Sequence, residues 1–176
     1  MITIRNKTFV PFLSPAALEA RIAQVAHQLN EDYKGKMPLF IVVLKGAFMF
    51  SAELFKHVTI PCEITFVRLA SYESMESSGR VKQIMGLEES VENRHVVLVE
   101  DIVDTGLTMA QLVAQLRQKG AESVEVATLL HKPDALKQPV DLRYIGFEIE
   151  NRFVVGYGLD YDEQGRNLDS IYVLAE

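Results

Sequence analysis

Residues 96–108 read VVLVEDIVDTGLT, and this stretch decides how the rest of the chain is interpreted. Its first four residues are apolar, which is typical of a buried strand. Two carboxylates, Glu100 and Asp101, follow directly, and a third, Asp104, opens the turn DTGLT. From Met109 onward apolar residues recur at helical spacing, which predicts a helix that stops at Gly120. The stretch is therefore a strand, a polar turn and the start of a helix.

The paired carboxylates indicate a metal site. Asp and Thr often serve as turn and capping residues, and this explains Asp104 or Thr108 taken singly. It explains less well why Glu100 and Asp101 directly follow an apolar strand with no cation nearby in sequence. Adjacent carboxylates in a cleft stay ionised most easily beside a divalent cation, and hard oxygen ligands suit Mg²⁺. We therefore predict Glu100 and Asp101 as magnesium ligands.

The turn itself has the composition of a phosphate site. Gly106 permits a positive φ, successive N–H groups then form a concave nest, and the hydroxyls of Thr105 and Thr108 add donors. The start of the following helix also favours an anion. The P-loop and Gly-x-Gly-x-x-Gly patterns are absent from the sequence. The expected ligand carries a phosphate together with a metal-bound diol or diphosphate.

Outward from this stretch, strand-like runs alternate with helix-period segments. Ser14-Pro15 predicts a helix start, and Leu18 to Leu29 supply one apolar helix face. A further helix is predicted over 47–57. Strands are predicted over 39–44, 63–69, 96–99, 124–130, 144–147 and 153–155. This alternation predicts an α/β fold with a mostly parallel twisted sheet and helices on both faces, and such sheets bind ligands at the carboxyl ends of their strands.

Composition narrows the class of protein further. The 176 residues carry a formal net charge of −6, which argues against non-specific nucleic-acid binding. The length predicts a single domain over 1–176. The one cysteine, Cys62, excludes an intrachain disulfide, and no apolar run is long enough for a membrane helix. The first residues lack a signal-peptide pattern, so we expect a cytoplasmic protein that binds neither nucleic acid nor membrane.

Six segments together resemble a known family. The acidic turn resembles the phosphoribosyl pyrophosphate motif of type I phosphoribosyltransferases, and LKGA at 44–47 resembles their pyrophosphate loop. Ser71-Tyr72 and the polar stretch to Arg80 resemble their mobile active-site loop. The segments LLHK at 129–132, GFE at 146–148 and FVVGYGLDY at 153–161 resemble the purine pocket of hypoxanthine(-guanine) phosphoribosyltransferases.

The resemblance implies both a fold and a reaction. The fold would be that of the type I phosphoribosyltransferases, with a small hood region beside the main sheet. The reaction would be Mg²⁺-dependent transfer of the phosphoribosyl group from phosphoribosyl pyrophosphate to N9 of hypoxanthine or guanine. The products would be IMP or GMP and pyrophosphate.

On this resemblance, the acidic turn holds the phosphoribosyl group. Residues Asp104, Thr105, Gly106, Leu107 and Thr108 would bind the 5-phosphate, with Leu107 contributing mainly its N–H. Glu100 and Asp101 would face the ribose diol, directly or through the waters of Mg²⁺. Asp104 would also be the general base that takes the proton from purine N7.

The resemblance also assigns the pyrophosphate ligands. The backbone of Lys45 and Gly46 would meet pyrophosphate after a cis peptide bond at Leu44–Lys45. Ser71 and Tyr72 in the lid would contact it, and Arg166 would donate charge-assisted hydrogen bonds to it.

The purine pocket follows from the same comparison. Phe153 would stack on the purine ring, Val154 would offer backbone groups to its edge, and Lys132 would donate to the exocyclic O6. Asp160 would ligate a second Mg²⁺ that is shared with pyrophosphate. None of the four histidines is assigned a catalytic role.

Alternative functions remain within the same fold. The enzyme could act on another base, such as xanthine, adenine or a pyrimidine, although Lys132 favours 6-oxopurines. A regulator that senses phosphoribosyl pyrophosphate and binds nucleic acid would need a basic face or an added helix-turn-helix segment. The family further implies a homodimer or homotetramer.

Overall fold

Strands and helices alternate along the chain in the computed structural model of the protein. The structure describes residues 1–73 and 80–175, and within 70–83 it describes strand backbone but no side chains. The strands are β1 (Ile2–Ile4), β2 (Lys7–Leu13), β3 (Leu39–Leu44), β4 (Glu63–Glu73), β5 (Arg80–Met85), β6 (His95–Val103), β7 (Ser123–His131), β8 (Tyr144–Glu148), β9 (Val154–Val155) and β10 (Ile171–Leu174). The helices are α1 (Pro15–Asp32), α2 (Phe48–His57) and α3 (Leu107–Gln118).

The main sheet has the order β5-β4-β3-β6-β7-β8 within the described residues. The pairs from β4 to β8 are parallel, and β5 joins β4 antiparallel at the edge. Because β3, β6 and β7 run in the same direction, their carboxyl ends lie at one edge of the sheet. Leu44, Val103 and His131 end these strands, so the segments predicted to bind ligand begin side by side.

Helices cover both faces of this sheet. Residues of α1 and α2 pack in one buried cluster with Phe40 and Val42 of β3, whereas α3 packs with Ile41 and Val43 on the other face. Alternate residues of a strand point to opposite faces, which is why β3 is apolar throughout. The predicted α/β architecture with helices on both faces is confirmed.

The start of α1 follows the predicted signals. The hydroxyl of Ser14 accepts a hydrogen bond from the N–H of Ala17 at 3.3 Å, and Pro15 occupies the first helical turn. The predicted apolar face is buried at Leu18, Ile22, Val25 and Leu29. In the described part of the chain, no helix is long and apolar enough to cross a membrane.

A second, smaller sheet forms the predicted hood. Its order is β1-β2-β10-β9 in the described residues, so the two ends of the chain pair with each other. Phe9 and Val155 are fully buried in its own small core. Of these strands, only the segment containing β9 was predicted from the sequence, and β5 of the main sheet was not predicted either.

Two predicted strands, β4 and β6, are longer than expected by more than two residues. The third strand extends over His95–Val103 rather than 96–99, so Glu100 and Asp101 lie within β6 and not in a loop. Pairing with β7 continues to Val103 opposite His131, and this extends the strand past its polar residues. Likewise β4 continues to Glu73 because β5 pairs along its second half.

Candidate active site

The two carboxylates at the end of β6 are held by the backbone that follows each of them. Glu100 Oε1 accepts a hydrogen bond from the N–H of Asp101 at 3.1 Å, and Asp101 Oδ1 accepts one from Ile102 at 2.7 Å. Glu100 is buried, with 8% of its surface exposed. Burial raises the pKa of the Asp101 carboxyl above its ordinary value. The two carboxyl groups are therefore held near the end of β6, where they have little access to solvent.

Gly46 packs directly on one of these carboxylates. A Cβ at Gly46 would overlap the carboxylate of Asp101, so any other residue would require the loop or that carboxylate to move. The peptide bond at Leu44–Lys45 is cis, as the family resemblance implies. The structure therefore brings the predicted pyrophosphate loop against the predicted metal-binding carboxylates, although 54 positions separate Gly46 from Glu100 in the sequence.

The turn after β6 has the backbone that a phosphate nest requires. Gly106 has a φ of +76° and precedes α3, and a Cβ there would overlap the carbonyl oxygen of Gln138. The carbonyl of Thr105 accepts hydrogen bonds from the N–H groups of Lys137 at 2.9 Å and Gln138 at 3.1 Å, which anchor the turn. Leu107 is about half exposed, as expected for a residue that contributes its backbone.

A small cavity of about 100 Å³ lies at this turn. It is lined by Glu100, Ile102, Val103, Asp104, Thr105, Gly106, Thr108 and Met109. Four of the five predicted phosphate-binding residues, all except Leu107, thus share one concave surface with Glu100. Ile102, which sequence analysis left without a role, lies on the wall of the same cavity.

Lys132 lies beside the predicted general base. The residue follows β7 directly, its N–H donates to the carbonyl of Val103 at 3.0 Å, and 7% of its surface is exposed. Its Nζ lies 3.6 Å from Asp104 Oδ2, whose side chain is about half exposed. A solvated lysine at a strand end would be exposed, so this burial excludes the simplest alternative for Lys132.

A cluster of ion pairs surrounds the other predicted pyrophosphate ligands. Arg166 binds Asp160 Oδ1 at 2.7 Å and the carbonyl of Gly158 at 2.9 Å. Lys45 Nζ binds Glu163 Oε2 at 2.7 Å, and this hydrogen bond lowers the pKa of the Glu163 carboxyl. Glu163 was not predicted as a site residue. Its position three residues before Arg166 was the available sequence signal.

Lys45 and Arg166 both line a large groove. The groove has a volume of about 850 Å³, and its charged lining residues are Lys45, Arg68, Glu163 and Arg166. Its apolar lining includes Ile2 and Ile4 of the hood and Phe48 of α2. This places Arg166, the cation predicted for pyrophosphate, and the side chain of Lys45, whose backbone was predicted to meet it, at the border between the main sheet and the hood.

The predicted stacking residue lies in the hood. Phe153 is 41% exposed, and its ring lies 5.8 Å from Tyr161 in an edge-on arrangement and 6.1 Å from Phe9. Lys7 Nζ lies 5.4 Å from the centre of the Phe153 ring. Val154 is buried in β9, and the carbonyl of Phe153 accepts a hydrogen bond from Leu174. An exposed, laterally supported aromatic ring can accept a flat ligand on its free face.

The acidic residues fit Mg²⁺ in part. Their hard carboxylate oxygens are suitable ligands, and Mg²⁺ commonly binds one or two protein carboxylates together with substrate oxygens and water. Within residues 1–73 and 80–175, no group of three or more His, Cys, Asp or Glu residues is placed to hold a metal ion. Asp160 is paired with Arg166 and lies on a different element from Glu100 and Asp101. The arrangement therefore suits Mg²⁺ ions whose remaining coordination positions are filled by substrate oxygens and water.

The predicted lid lies largely outside the part of the chain that the structure describes. Residues 74–79 and the side chains of Ser71 and Tyr72 lie outside the described residues. The backbone of Ser71 and Tyr72 belongs to β4, where they pair with Lys82 and Val81.

The chain is similar to a large family of known proteins. The phosphoribosyl transferase domain model matches residues 13–162, and the chain belongs to this family. The names of two relatives of the chain specify a particular enzyme within this family. The chain is 42% identical to the hypoxanthine-guanine phosphoribosyltransferase of Bacillus subtilis over 163 residues, covering 92% of this chain and 91% of that one. It is 41% identical to the enzyme of the same name from Mycobacterium bovis over 169 residues, covering 92% and 84%.

Solved structures agree with the sequence relatives. A hypoxanthine phosphoribosyltransferase from Trypanosoma cruzi, in a ternary complex with substrates, has a TM-score of 0.88 at 32% identity and 96% coverage of both chains. A hypoxanthine-guanine phosphoribosyltransferase from Bacillus anthracis has a TM-score of 0.85 at 31% identity, with 97% and 99% coverage. The family inferred from the six sequence segments is confirmed.

Proposed function

We propose that the protein is a purine salvage enzyme that transfers the phosphoribosyl group from phosphoribosyl pyrophosphate to N9 of hypoxanthine or guanine. The observation that carries this proposal is the buried Lys132 beside Asp104, at the edge of the phosphate turn. A cationic donor and a carboxylate are thereby presented together where a phosphoribosyl group would bind. The names of the relatives support the same reaction.

Asp104 is the proposed general base. Its carboxylate is half exposed at the mouth of the turn, so it can reach the purine N7 from which a proton must leave. Lys132 Nζ lies 3.6 Å from this carboxylate and would donate hydrogen bonds to the exocyclic O6. Because both residues act on the same ring, their separation fixes how the purine lies in the site.

The phosphate turn provides the second part of the site. The N–H groups of residues 104–108 and the hydroxyls of Thr105 and Thr108 would hold the 5-phosphate at the start of α3. Glu100 and Asp101 would face the ribose diol. They would hold one Mg²⁺, and Asp160 would ligate a second one shared with pyrophosphate; these ions would neutralise the phosphoribosyl pyrophosphate and its leaving group.

The pyrophosphate loop provides the third part. The backbone of Lys45 and Gly46 would contact the leaving group, because Gly46 brings the loop against Asp101. Arg166 would donate to the same anion, with Ser71 and Tyr72 of the lid closing over it. Phe153 would stack on the purine and the backbone of Val154 would read its edge.

We also propose a homodimer or homotetramer of single-domain, cytoplasmic subunits. An apolar strip on the main sheet supports self-association. Ile64 and Phe66 alternate on one face of β4 and are 41% and 50% exposed. Met85, which pairs with Arg68 on the neighbouring strand, is 53% exposed. Contiguous exposed apolar surface of this kind is typical of interfaces.

One assay tests the proposed reaction. Pyrophosphate release is measured with phosphoribosyl pyrophosphate, Mg²⁺ and each of hypoxanthine, guanine, xanthine and adenine. The expected result is turnover with hypoxanthine or guanine and none with adenine. Turnover with adenine alone, or with none of the four bases, would contradict the proposal. Turnover with xanthine alone would assign the enzyme to the alternative base.

A further inference from the structure

The loop that carries Glu163 is a tight hairpin with an unusual composition. Tyr161 and Gln164 pair as an isolated bridge, and their two N–H···O bonds measure 2.9 and 3.1 Å. The two residues between them, Asp162 and Glu163, have φ values of +51° and +62°. Positive φ at both central positions is the backbone of a type I′ turn, which strongly favours Asn-Gly or Asp-Gly. A glutamate in the second central position is therefore disfavoured by the backbone.

The two side chains of this turn have separate partners. Asp162 Oδ2 binds Arg5 Nε at 3.0 Å on the hood side. Glu163 Oε2 binds Lys45 Nζ at 2.7 Å and lies 3.8 Å from Arg166 Nη2. Glu163 therefore places one carboxylate oxygen between the guanidinium of Arg166, which the proposed function assigns to pyrophosphate, and the ammonium of Lys45, whose backbone it assigns to the same group.

Stability is a weak explanation for this arrangement. The side chain of Glu163 is 66% exposed and that of Lys45 is 48% exposed. Ion pairs at such exposure contribute little to folding, and a glycine at position 163 would suit the turn better. A glutamate that is unfavourable for the turn and weak as a stabilising group indicates a role in the site.

We propose that Glu163 is an internal competitor for pyrophosphate: its carboxylate engages Lys45 and Arg166 when the subsite is empty, and pyrophosphate displaces it. This inference rests on the proposed function. Pyrophosphate carries more negative charge than one carboxylate and therefore binds the two cations more strongly. The displaced carboxylate stays tethered beside them, where it weakens pyrophosphate binding and speeds release of the product.

Arg166 has two partners that do not involve the side chain of Glu163. They are Asp160 Oδ1 at 2.7 Å and the carbonyl of Gly158 at 2.9 Å, and the Glu163 backbone N–H donates to Asp160 Oδ2 at 2.8 Å. Removing the charge of Glu163 should therefore free the cations without disordering Arg166. A competitor and a positioning group consequently predict opposite effects on pyrophosphate affinity.

The test is calorimetric titration of the wild-type protein and three variants with inorganic pyrophosphate in the presence of Mg²⁺. Glu163→Gln keeps the size of the side chain and removes its charge, and we expect its Kd to fall about three- to tenfold. Glu163→Asp keeps the charge and should retain the wild-type Kd more closely than Glu163→Gln. Asp162→Asn alters the same turn but faces Arg5, so its Kd should not change. Thermal unfolding of each variant verifies that it is folded.

The outcomes separate the inference from the proposed function. Weaker or unchanged binding in Glu163→Gln, with binding intact in the wild type, would overturn the competitor role alone. The same tightening in Asp162→Asn would also overturn it, because the effect would then come from the net charge of the turn. A wild-type protein that binds no pyrophosphate and forms no nucleotide would overturn the proposed function itself.

Discussion

Lys132 and Asp104 lie 3.6 Å apart, measured between Nζ and Oδ2, although 28 positions separate them in the sequence. The two residues follow β7 and β6, which pair in parallel up to Val103 opposite His131. The register of these two strands therefore sets the distance between the lysine and the carboxylate. A purine that contacted both groups would have the direction of its O6–N7 edge set by the sheet.

Replacing the carboxylate of Asp104 should slow the chemical step more than binding. We expect Asp104→Asn to lower kcat by about 10²–10⁴, because the amide cannot accept the purine proton. Affinity for phosphoribosyl pyrophosphate should change much less, since N–H groups hold the phosphate. Steady-state kinetics with both substrates measure the two effects. Asp134→Asn, an exposed aspartate close behind Lys132, is the matched control, and near wild-type turnover in Asp104→Asn would place proton removal elsewhere.

Removing the ammonium of Lys132 should affect recognition of the base. Lysine has three donors and no acceptor, so it pairs with a 6-oxo group and not with a 6-amino group. Sites built on such a bond can reject the mismatched analogue by about 10⁴–10⁵. We expect Lys132→Ala to lose most of its kcat/KM for hypoxanthine while its affinity for phosphoribosyl pyrophosphate survives.

Kinetics with hypoxanthine and adenine measure this effect. Lys137→Ala removes an exposed lysine from the same loop and should behave as wild type. Wild-type preference for adenine, or an unchanged kcat/KM for hypoxanthine in Lys132→Ala, would contradict the role of Lys132.

The main sheet could be predicted from the sequence because its central strands are buried on both faces. Such strands are continuous apolar runs, and the predicted bounds of β3, 39–44, match the structure. The hood strands lack this signal. β2 carries Pro11 and exposed residues, β9 has two residues, and β10 pairs with the opposite end of the chain. Their pairing depends on tertiary contacts that periodicity does not encode.

In the candidate site too, local sequence patterns were predictive and contacts between distant residues were not. The acidic turn could be predicted because all its residues are contiguous in the sequence. The end of the preceding strand was predicted at Val99, because the apolar run stops there. Backbone pairing continued to Val103 because β7 lies alongside. The ion pair of Lys45 with Glu163 spans 118 positions, and no local pattern relates these residues. Glu163 was missed because its role depends on a turn conformation that its residue type disfavours.

Removal of Mg²⁺ should abolish turnover. Phosphoribosyl pyrophosphate is highly anionic, and Glu100, Asp101 and Asp160 would repel it without a cation between them. We expect excess chelator to reduce pyrophosphate release to background and added Mg²⁺ to restore it. Calorimetry of phosphoribosyl pyrophosphate with and without the metal tests the same point at the binding step. Turnover that persists in excess chelator would refute the metal requirement.

A methyl group at Gly46 should damage the site more than the fold. Its Cβ would overlap the Asp101 carboxylate, so either the loop or the carboxylate must move. We expect Gly46→Ala to lower kcat/KM by about 10²-fold or more, because small displacements of positioned groups are costly. Gly35→Ala is the matched control: Gly35 has a φ of +74° before β3, at the opposite edge of the sheet. Both variants should lose thermal stability, and only Gly46→Ala should lose activity per folded molecule.

The carboxyl of Asp101 should make the protein's stability depend on pH. Burial raises its pKa, so the folded state holds the proton to higher pH than the unfolded chain does. Its contribution to stability is therefore fully present below the unfolded pKa and is lost as pH rises through the folded pKa. Asp101→Asn does not lose stability in this way, and its side chain can still accept the hydrogen bond from Ile102.

We expect the Tm of Asp101→Asn minus that of wild type to increase from pH 4 to pH 7, by about 2–4 °C for each 1 kcal/mol of difference in the free energy of unfolding. Metal-free thermal unfolding across this range measures the difference, with exposed Asp134→Asn as the control. A difference that is constant or shrinks with rising pH would show that the Asp101 carboxyl is not destabilised by its surroundings.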